Sequence, residues 1–395
     1  MSWPMVKLGD CCEVVSGGTP KREIGEYWDG SIYWVTPKDL SQLSSIYIDS
    51  TPERITDLGL KKSSATLLPK HSLLFSSRAP IGHLAITTTE MATNQGFKSL
   101  IPKSQADVKY LFFCLKYFRA ELENLGNGAT FKEVSKKVVE NYQIPLPPLP
   151  IQKQIAAVLE KADTLRQQCQ QMEQELNALA QSVFLEMFGD PVRNPKSWQK
   201  KSLSTVTDRI IDCPHTTPQW TADGITCLRT TNLTYGGWNF ADHRFVDAEQ
   251  YKERTSRSEI EPGDIILSRE GTVGVAAIVD VGMKLCLGQR LVQVRPNVIK
   301  IHSEFLLYQL LFLLTPERLT QVMSGSTVKH LNMSDIRSLG VIVPPIEDQI
   351  QFKQVWTSIK SELIKTERQI SSLDECFYSL MQRAFKGELD LTTNA

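Results

Sequence analysis

The sequence predicts an α+β chain: two mixed α/β domains with pseudo-two-fold symmetry, separated by two long antiparallel helices that form a coiled coil. Three observations predict it. Nearly the whole chain repeats itself at a period near 195 residues, each repeat contains a Pro-Pro break, and each break leads into a long heptad pattern. The expected segments are a domain over 1–147, a spacer helix over 148–190, a second domain over 191–344, and a second spacer helix with a tail over 345–395. A chain of 395 residues is too long for one ordinary core, which agrees with two domains.

The repeat can be followed string by string. Trp3 and Leu8 return as Trp198 and Leu203, and Gly18-Thr19-Pro20 returns as Thr216-Thr217-Pro218. Tyr33-Trp34-Val35-Thr36-Pro37-Lys38-Asp39-Leu40 lines up with Thr226 to Leu233. Leu73-Leu74-Phe75-Ser76-Ser77-Arg78 with Gly82 matches Ile265-Ile266-Leu267-Ser268-Arg269 with Gly274, and Gln95 to Pro102 matches Gln289 to Pro296. From residue 127 onward the offset holds at 197, whereas earlier it wanders between 191 and 198. A rigid element preceded by a loop-rich, variable domain behaves this way.

Within each domain, short apolar runs broken by turn residues predict strands, for example Ser31–Val35, His71–Phe75, Ile265–Leu267 and Leu291–Val294. Apolar spacing of three and four predicts a helix over Val108–Leu125 and another over Ser303–Met323. Pro147-Pro148 and Pro344-Pro345 then end the domains, because proline lacks a donor and restricts the residue before it. The first heptad seam reads Ile151, Ile155, Val158, Ala162, Leu165, Cys169, Met172, Leu176, Leu179, Val183, Met187. The second reads Phe352, Trp356, Ile359, Leu363, Thr366, Ile370, Leu373, Phe377, Leu380, Ala384. Two matched seams are expected to pair with each other as a coiled coil rather than pack separately on their own domains.

Composition excludes several classes. No apolar run is long enough to span a membrane, and the N-terminus lacks signal-peptide character, so a cytoplasmic location is the default. The eight cysteines form no Cys-x-x-Cys pair and the six histidines are scattered, so neither a zinc site nor any other metal site is expected. There is no phosphate-cradling Gly-x-x-x-x-Gly-Lys-Ser/Thr, no Asp/Asn-Pro-Pro-Tyr/Phe, no Gly-x-Ser-x-Gly and no His-Glu-x-x-His. No catalytic residue is therefore nominated.

Two similar domains at a fixed spacing suit a reader of a two-part DNA site, since half-sites one helical turn apart lie about 34 Å from each other. Base edges are read by Arg, Lys, Asn, Gln and Thr. Such residues stand where strands hand over to glycine-containing loops: Thr36, Lys38, Ser77, Arg78, Gln95, Lys98, Thr130 and Lys132 in the first half, and Arg229, Thr230, Asn232, Arg269, Gln289, Arg290, Thr327 and Lys329 in the second. Each competes with a plain role in capping a turn. Arg78 and Arg269 stand out, because both follow an apolar strand and precede a glycine loop. Tyr33 and Trp34 suit either base stacking or the core. The balance of 44 basic and 44 acidic residues is unusual for a DNA binder, which ordinarily carries a basic surplus. It fits if acidic residues line partner-facing helices, or if partners share the phosphate grip.

With these strings in order, the chain resembles the specificity (S) subunits of type I restriction–modification systems over essentially its full length. The resemblance is carried by Trp3…Lys7-Leu8-Gly9-Asp10, Leu73–Arg78 with Gly82, Ile144-Pro145-Leu146-Pro147-Pro148…Gln152…Ile155, Phe184…Met187-Phe188-Gly189-Asp190, Ile342-Val343-Pro344-Pro345…Gln349 and Phe385-Lys386-Gly387-Glu388-Leu389. It implies two target-recognition domains, each reading one half of a bipartite asymmetric DNA site, with the helices setting the spacing. It also implies two methyltransferase (M) subunits docked along the helices and restriction/translocase (R) subunits completing the complex. The chain itself would then be non-catalytic and hold no cofactor, with S-adenosylmethionine, ATP and Mg²⁺ belonging to the partners. A protein-only coiled-coil adaptor and a single-chain restriction enzyme are the competing readings. The second half departs from the first in two places: Gly189 aligns with Lys386, so the second helix is expected to end one residue later, and the turn matching Gly18-Thr19-Pro20 is less glycine-rich, with Cys213-Pro214-His215 preceding it.

Overall fold

A computed structural model describes residues 3–78, 80–127, 132–315, 318 and 331–391. The chain folds into two compact units, Met1–Gln171 with Thr366–Ala395, and Met172–Lys365. Each unit therefore combines one α/β domain with part of both long helices.

In the first unit a five-stranded sheet runs Cys12–Ser16, Lys98–Pro102, Leu73–Phe75, Leu84–Thr87, Tyr47–Ile48. Its first four strands pair antiparallel and the last parallel. A three-stranded sheet runs Arg54–Ile55, Trp28–Val35, Met91–Thr93, the last pair parallel. The second unit repeats this order. Thr207–Asp212, Leu291–Pro296, Ile265–Ser268 and Ala276–Ile278 form one sheet; Phe245–Val246, Ile225–Leu228 and Leu285–Leu287 form the other, again with its last pair parallel. The strand Leu73–Phe75 and its counterpart Ile265–Ser268 are buried on both faces, which is why they read as continuous apolar runs rather than alternating ones.

The predicted helix over Val108–Leu125 is two helices, Val108–Tyr117 and Arg119–Asn124, broken at Phe118. Its counterpart is Ser303–Leu313, buried on nearly all sides; the rest of the predicted Ser303–Met323 segment falls largely outside the described residues.

The long helices span Leu149–Phe188 and Ile346–Lys386. The first ends on Gly189 (φ +76°) and the second on Gly387 (φ +78°), one residue later in register, with glycine in the left-handed conformation that closes a helix. In the first unit Ile155, Ala156 and Leu159 share a core with Phe377, Met381, Ala384 and Phe385. In the second, Ala180, Phe184 and Phe188 share one with Phe352 and Ile359. The start of one helix thus meets the end of the other in both units, so the pairing is antiparallel.

The second predicted seam is the buried one, but the first is displaced by one residue at alternate positions in its middle, where Cys169 and Leu176 keep their places. Leu165, Met172 and Leu179 are 43%, 50% and 48% exposed, while the neighbouring Arg166, Glu173 and Ala180 turn inward. Arg166 takes its seam position by bonding Asp374 Oδ1 (2.5 Å) and Asp163 Oδ1 (2.8 Å) and lying 4.6 Å over the Phe377 ring. A seam read from apolar residues alone passes over such a polar layer.

The same devices lock both domains to their helices. Buried Gln152 accepts from Asp107 N (2.9 Å) and donates to Pro147 O (2.7 Å); buried Gln349 accepts from His302 N (2.9 Å) and donates to Pro344 O (2.9 Å). Each glutamine satisfies an orphan N–H at the start of a domain helix while fixing the Pro-Pro segment. Trp3 Nε1 donates to Ala384 O (2.7 Å) and Trp198 Nε1 to Phe188 O (2.9 Å), each satisfying a carbonyl at the end of a long helix.

Candidate nucleic-acid interface

Loops and strand ends are stitched together by four matching backbone hydrogen bonds in both units. In the first, Gly17 N donates to Phe97 O (3.3 Å), Asn94 N to Val35 O (3.0 Å), Ser77 N to Gly96 O (2.7 Å) and Val134 N to Ser77 O (2.9 Å). In the second, Cys213 N donates to Leu291 O (3.1 Å), Gly288 N to Leu228 O (2.8 Å), Arg269 N to Arg290 O (3.0 Å) and Leu331 N to Arg269 O (2.8 Å). The loops beginning at 17 and 213, the turns at 94–97 and 288–291, and the strand ends at 76–78 and 268–270 are thereby brought to one place in each unit. Side chains reinforce the meeting: Thr19 Oγ1 donates to Gln95 Oε1, and Gln289 Nε2 to His215 O (3.0 Å).

This cluster gathers many of the sequence candidates, but four of them leave the surface. Ser77 is buried, with its hydroxyl donating to Gly96 O (3.0 Å). Lys98 is buried on a central strand and pairs with Glu133 at 3.2 Å. Asn232 is buried and fully used, accepting from Arg229 N (2.8 Å) and donating to Asn239 O (3.0 Å) and Asp242 O (3.2 Å). Arg269 is buried with its Nε 3.2 Å from Asp212 Oδ1 and its Nη2 3.5 Å from Glu270 Oε1. Hydrogen bonding equates Arg269 with Ser77, not with Arg78, whose counterpart is Glu270. The shared Ser-Arg text misled because the second strand end carries one serine fewer.

Thr36 has a capping role: its N–H and hydroxyl both donate to Asp39 Oδ2 (2.7 Å each) at the start of the Pro37–Ser41 helix. Lys38 is exposed on that helix, and Thr230 opens the short turn Thr230–Asn232. Exposed Lys132 and half-buried Arg78 carry no ion pair among the described residues, and Gln95 is exposed at its turn. In the second unit Arg229 pairs with Asp242 at 2.5 Å. Arg290 is exposed at a positive φ of +68°, strained for a residue with a Cβ, and its Nε lies 3.4 Å from Glu270. Thr130, Thr327 and Lys329 lie outside the described residues.

Sequence reasoning missed what holds the first loop of each cluster. In the first unit Trp34 is a core residue whose Nε1 donates to Gly18 O (3.0 Å), and Trp28 Nε1 donates to Lys21 O (3.1 Å). Arg22 lies over both rings, 4.1 and 4.9 Å from their centroids, and bonds Glu53, holding that carboxyl below the usual carboxylate range. Tyr33 lies under the Arg54 guanidinium at 4.5 Å. In the second unit buried Arg254 reaches the corresponding loop.

A family model described as the type I restriction modification DNA specificity domain matches residues 2–178 and 227–372. The chain is 28% identical over 406 aligned residues to the type I restriction enzyme MjaIX specificity subunit of Methanocaldococcus jannaschii, covering 98% of this chain and 93% of that one. Among solved structures, the S subunit of a type I restriction-modification system from M. genitalium matches with a TM-score of 0.61 at 13% identity, covering 98% of this chain and 96% of that chain. A chain from a study of complex assembly and conformational transition of the type I R-M system matches at 0.54 and 20% identity, over 98% of each chain.

Proposed function

Because the chain belongs to the type I restriction-modification DNA specificity family, we propose that its two loop clusters read the two halves of a bipartite, asymmetric DNA site. One observation carries this reading: a single loop scaffold occurs twice, with different side chains on it. Arg78, Gln95 and Lys132 furnish the first cluster, while Gln289 and Arg290, beside Glu270, furnish the second. Equal scaffolds give the same kind of approach to a duplex, and unequal side chains give different base preferences.

The chain is a recognition subunit without chemistry of its own. The competing readings, a protein-only adaptor and a single-chain restriction enzyme, have no support among its relatives. It assembles with other subunits and binds DNA. In finer detail, two methyltransferase subunits dock along the paired helices and restriction/translocase subunits complete the complex; S-adenosylmethionine, ATP and Mg²⁺ serve those partners. The helices fix the number of unread bases between the half-sites. The described helices are not long and apolar enough to cross a membrane; acting on DNA, the chain works in the cytoplasm.

The test is binding of the chain, co-purified with its methyltransferase partners, to randomised duplexes across a salt series. A split motif whose affinity falls steeply with salt is expected, since phosphate contacts release counterions. Binding indifferent to both sequence and salt overturns the reading.

A further inference from the structure

The second unit's reading loop, residues 213–218, is held differently from its counterpart. In the first unit the chain after the short helix Asp57–Lys61 lies directly against the loop: a Cβ on Gly18 would stand 2.2 Å from Ala65 N. In the second unit a cavity of about 350 Å³ opens beneath the loop, lined by Pro214, His215, Thr216, Arg257 and Leu287 among others. Arg254 reaches across it to the loop. Arg254, the last residue of the helix Ala248–Arg254, is 6% exposed. Its Nη2 donates to Thr216 O (2.9 Å), its Nη1 to Thr216 Oγ1 (3.4 Å) and its Nε to Leu287 O (2.8 Å). The guanidinium thereby ties the loop to the strand that leads into Gln289 and Arg290.

Two features set this arginine apart from a side chain that only fills space. Its partners are two carbonyls and a hydroxyl, and no carboxylate pairs with it among the described residues. A buried cation left without an anion is expensive unless its hydrogen bonds are well made. A planar fork fixes two directions at once, which a lysine cannot do.

We propose that Arg254 is a positioning residue: through the 213–218 loop it sets the base preference of the second half-site. This rests on the reading of each unit as one half-site reader. The experiment is methylation of a randomised duplex library by the complete complex with its methyltransferase subunits, sequencing the modified sites for wild type, Arg254→Gln and Arg254→Lys. Arg254→Gln should loosen discrimination at the half-site read by the second unit by about 10-fold, the value of a typical mismatch, and leave the other half within about twofold. Arg254→Lys keeps the charge and stem, folds where the glutamine variant does not, and should loosen the same half by less. A wild-type complex that gives no split motif overturns the reader itself. A split motif whose halves are unchanged in both variants, or loosened equally, overturns the role of Arg254 alone.

Discussion

The two reading loops occupy the same place in the same fold and are secured by different physics. The loop after Cys12–Ser16 is seated by packing. A Cβ on Gly17 would stand 1.9 Å from Asn94 O, and Trp34 and Trp28 each hold a loop carbonyl. The loop after Thr207–Asp212 spans a cavity and is held by hydrogen bonds, from the Arg254 guanidinium to Thr216 and from Gln289 Nε2 to His215 O among them. Packing tolerates almost no change in volume, whereas a hydrogen-bonded span accepts new side chains so long as its anchor stays. The first half-site reader is therefore the sterically constrained one, and the second is the one whose loop sequence can drift.

The largest effect expected from this contrast is at Trp34. Trp34→Ala removes a buried ring packed edge-on against Trp28 at 5.1 Å and frees Gly18 O. It should destabilise the first unit by about 3–5 kcal/mol, measured as lost hydrogen-exchange protection over 28–35 and 91–93. Protection unchanged within about 1 kcal/mol would break the packing half of the comparison.

Arg269→Ala comes next, and sharpens the contrast at the position equivalent to Ser77. Removing the guanidinium takes the arginine from Asp212 and leaves Glu270 with Arg290 alone. The second unit should lose about 3 kcal/mol, as buried pairs do when one partner is removed. Ser77→Ala deletes one hydroxyl bond to Gly96 O and should lose about 1 kcal/mol. Chemical denaturation of both variants checks the ratio, and equal losses would mean that the Arg269 network is no more than a single hydrogen bond.

A smaller effect tests where the units are alike. Gln152→Leu and Gln349→Leu each leave a helix-start N–H and a Pro-Pro carbonyl without their amide partner. Each should cost about 1–3 kcal/mol, and the pair should add, since the two sites share no partner. Unequal costs, read from denaturation midpoints, would show that only one junction is locked.

What the sequence revealed follows from which forces leave a local trace. The duplication, the Pro-Pro breaks and the later end of the second helix were legible because register and left-handed glycine are written in consecutive residues. The mid-helix seam was not, because Arg166 enters it through Asp374, a residue on the other helix. Arg269 read as a DNA contact for the same reason: nothing near it in sequence announces Asp212. Arg254 left no trace at all, being an ordinary helix-terminal arginine until Thr216 and Leu287 are placed beside it.

The smallest prediction asks whether the units respond alike to acid. His83 in the first unit and His302 in the second are both partly buried, and burial pushes both imidazoles below their ordinary range. A nearby cation adds to this in each case, Arg119 beside His83 and Lys353 beside His302, opposed by Glu123 and Glu304. With the folded value depressed, the unfolded chain binds the proton more readily. The stabilisation is thus whole above the unfolded pKa, about 6.5, and is lost as the pH falls through it toward the folded value. Urea midpoints between about pH 7.5 and about pH 5.5 should therefore fall less steeply in His83→Gln and in His302→Gln than in the wild type. The double variant should flatten the fall further than either. If one substitution accounts for the whole acid-side loss, the units differ here as well; if neither changes the slope, the protons that weaken the fold bind elsewhere.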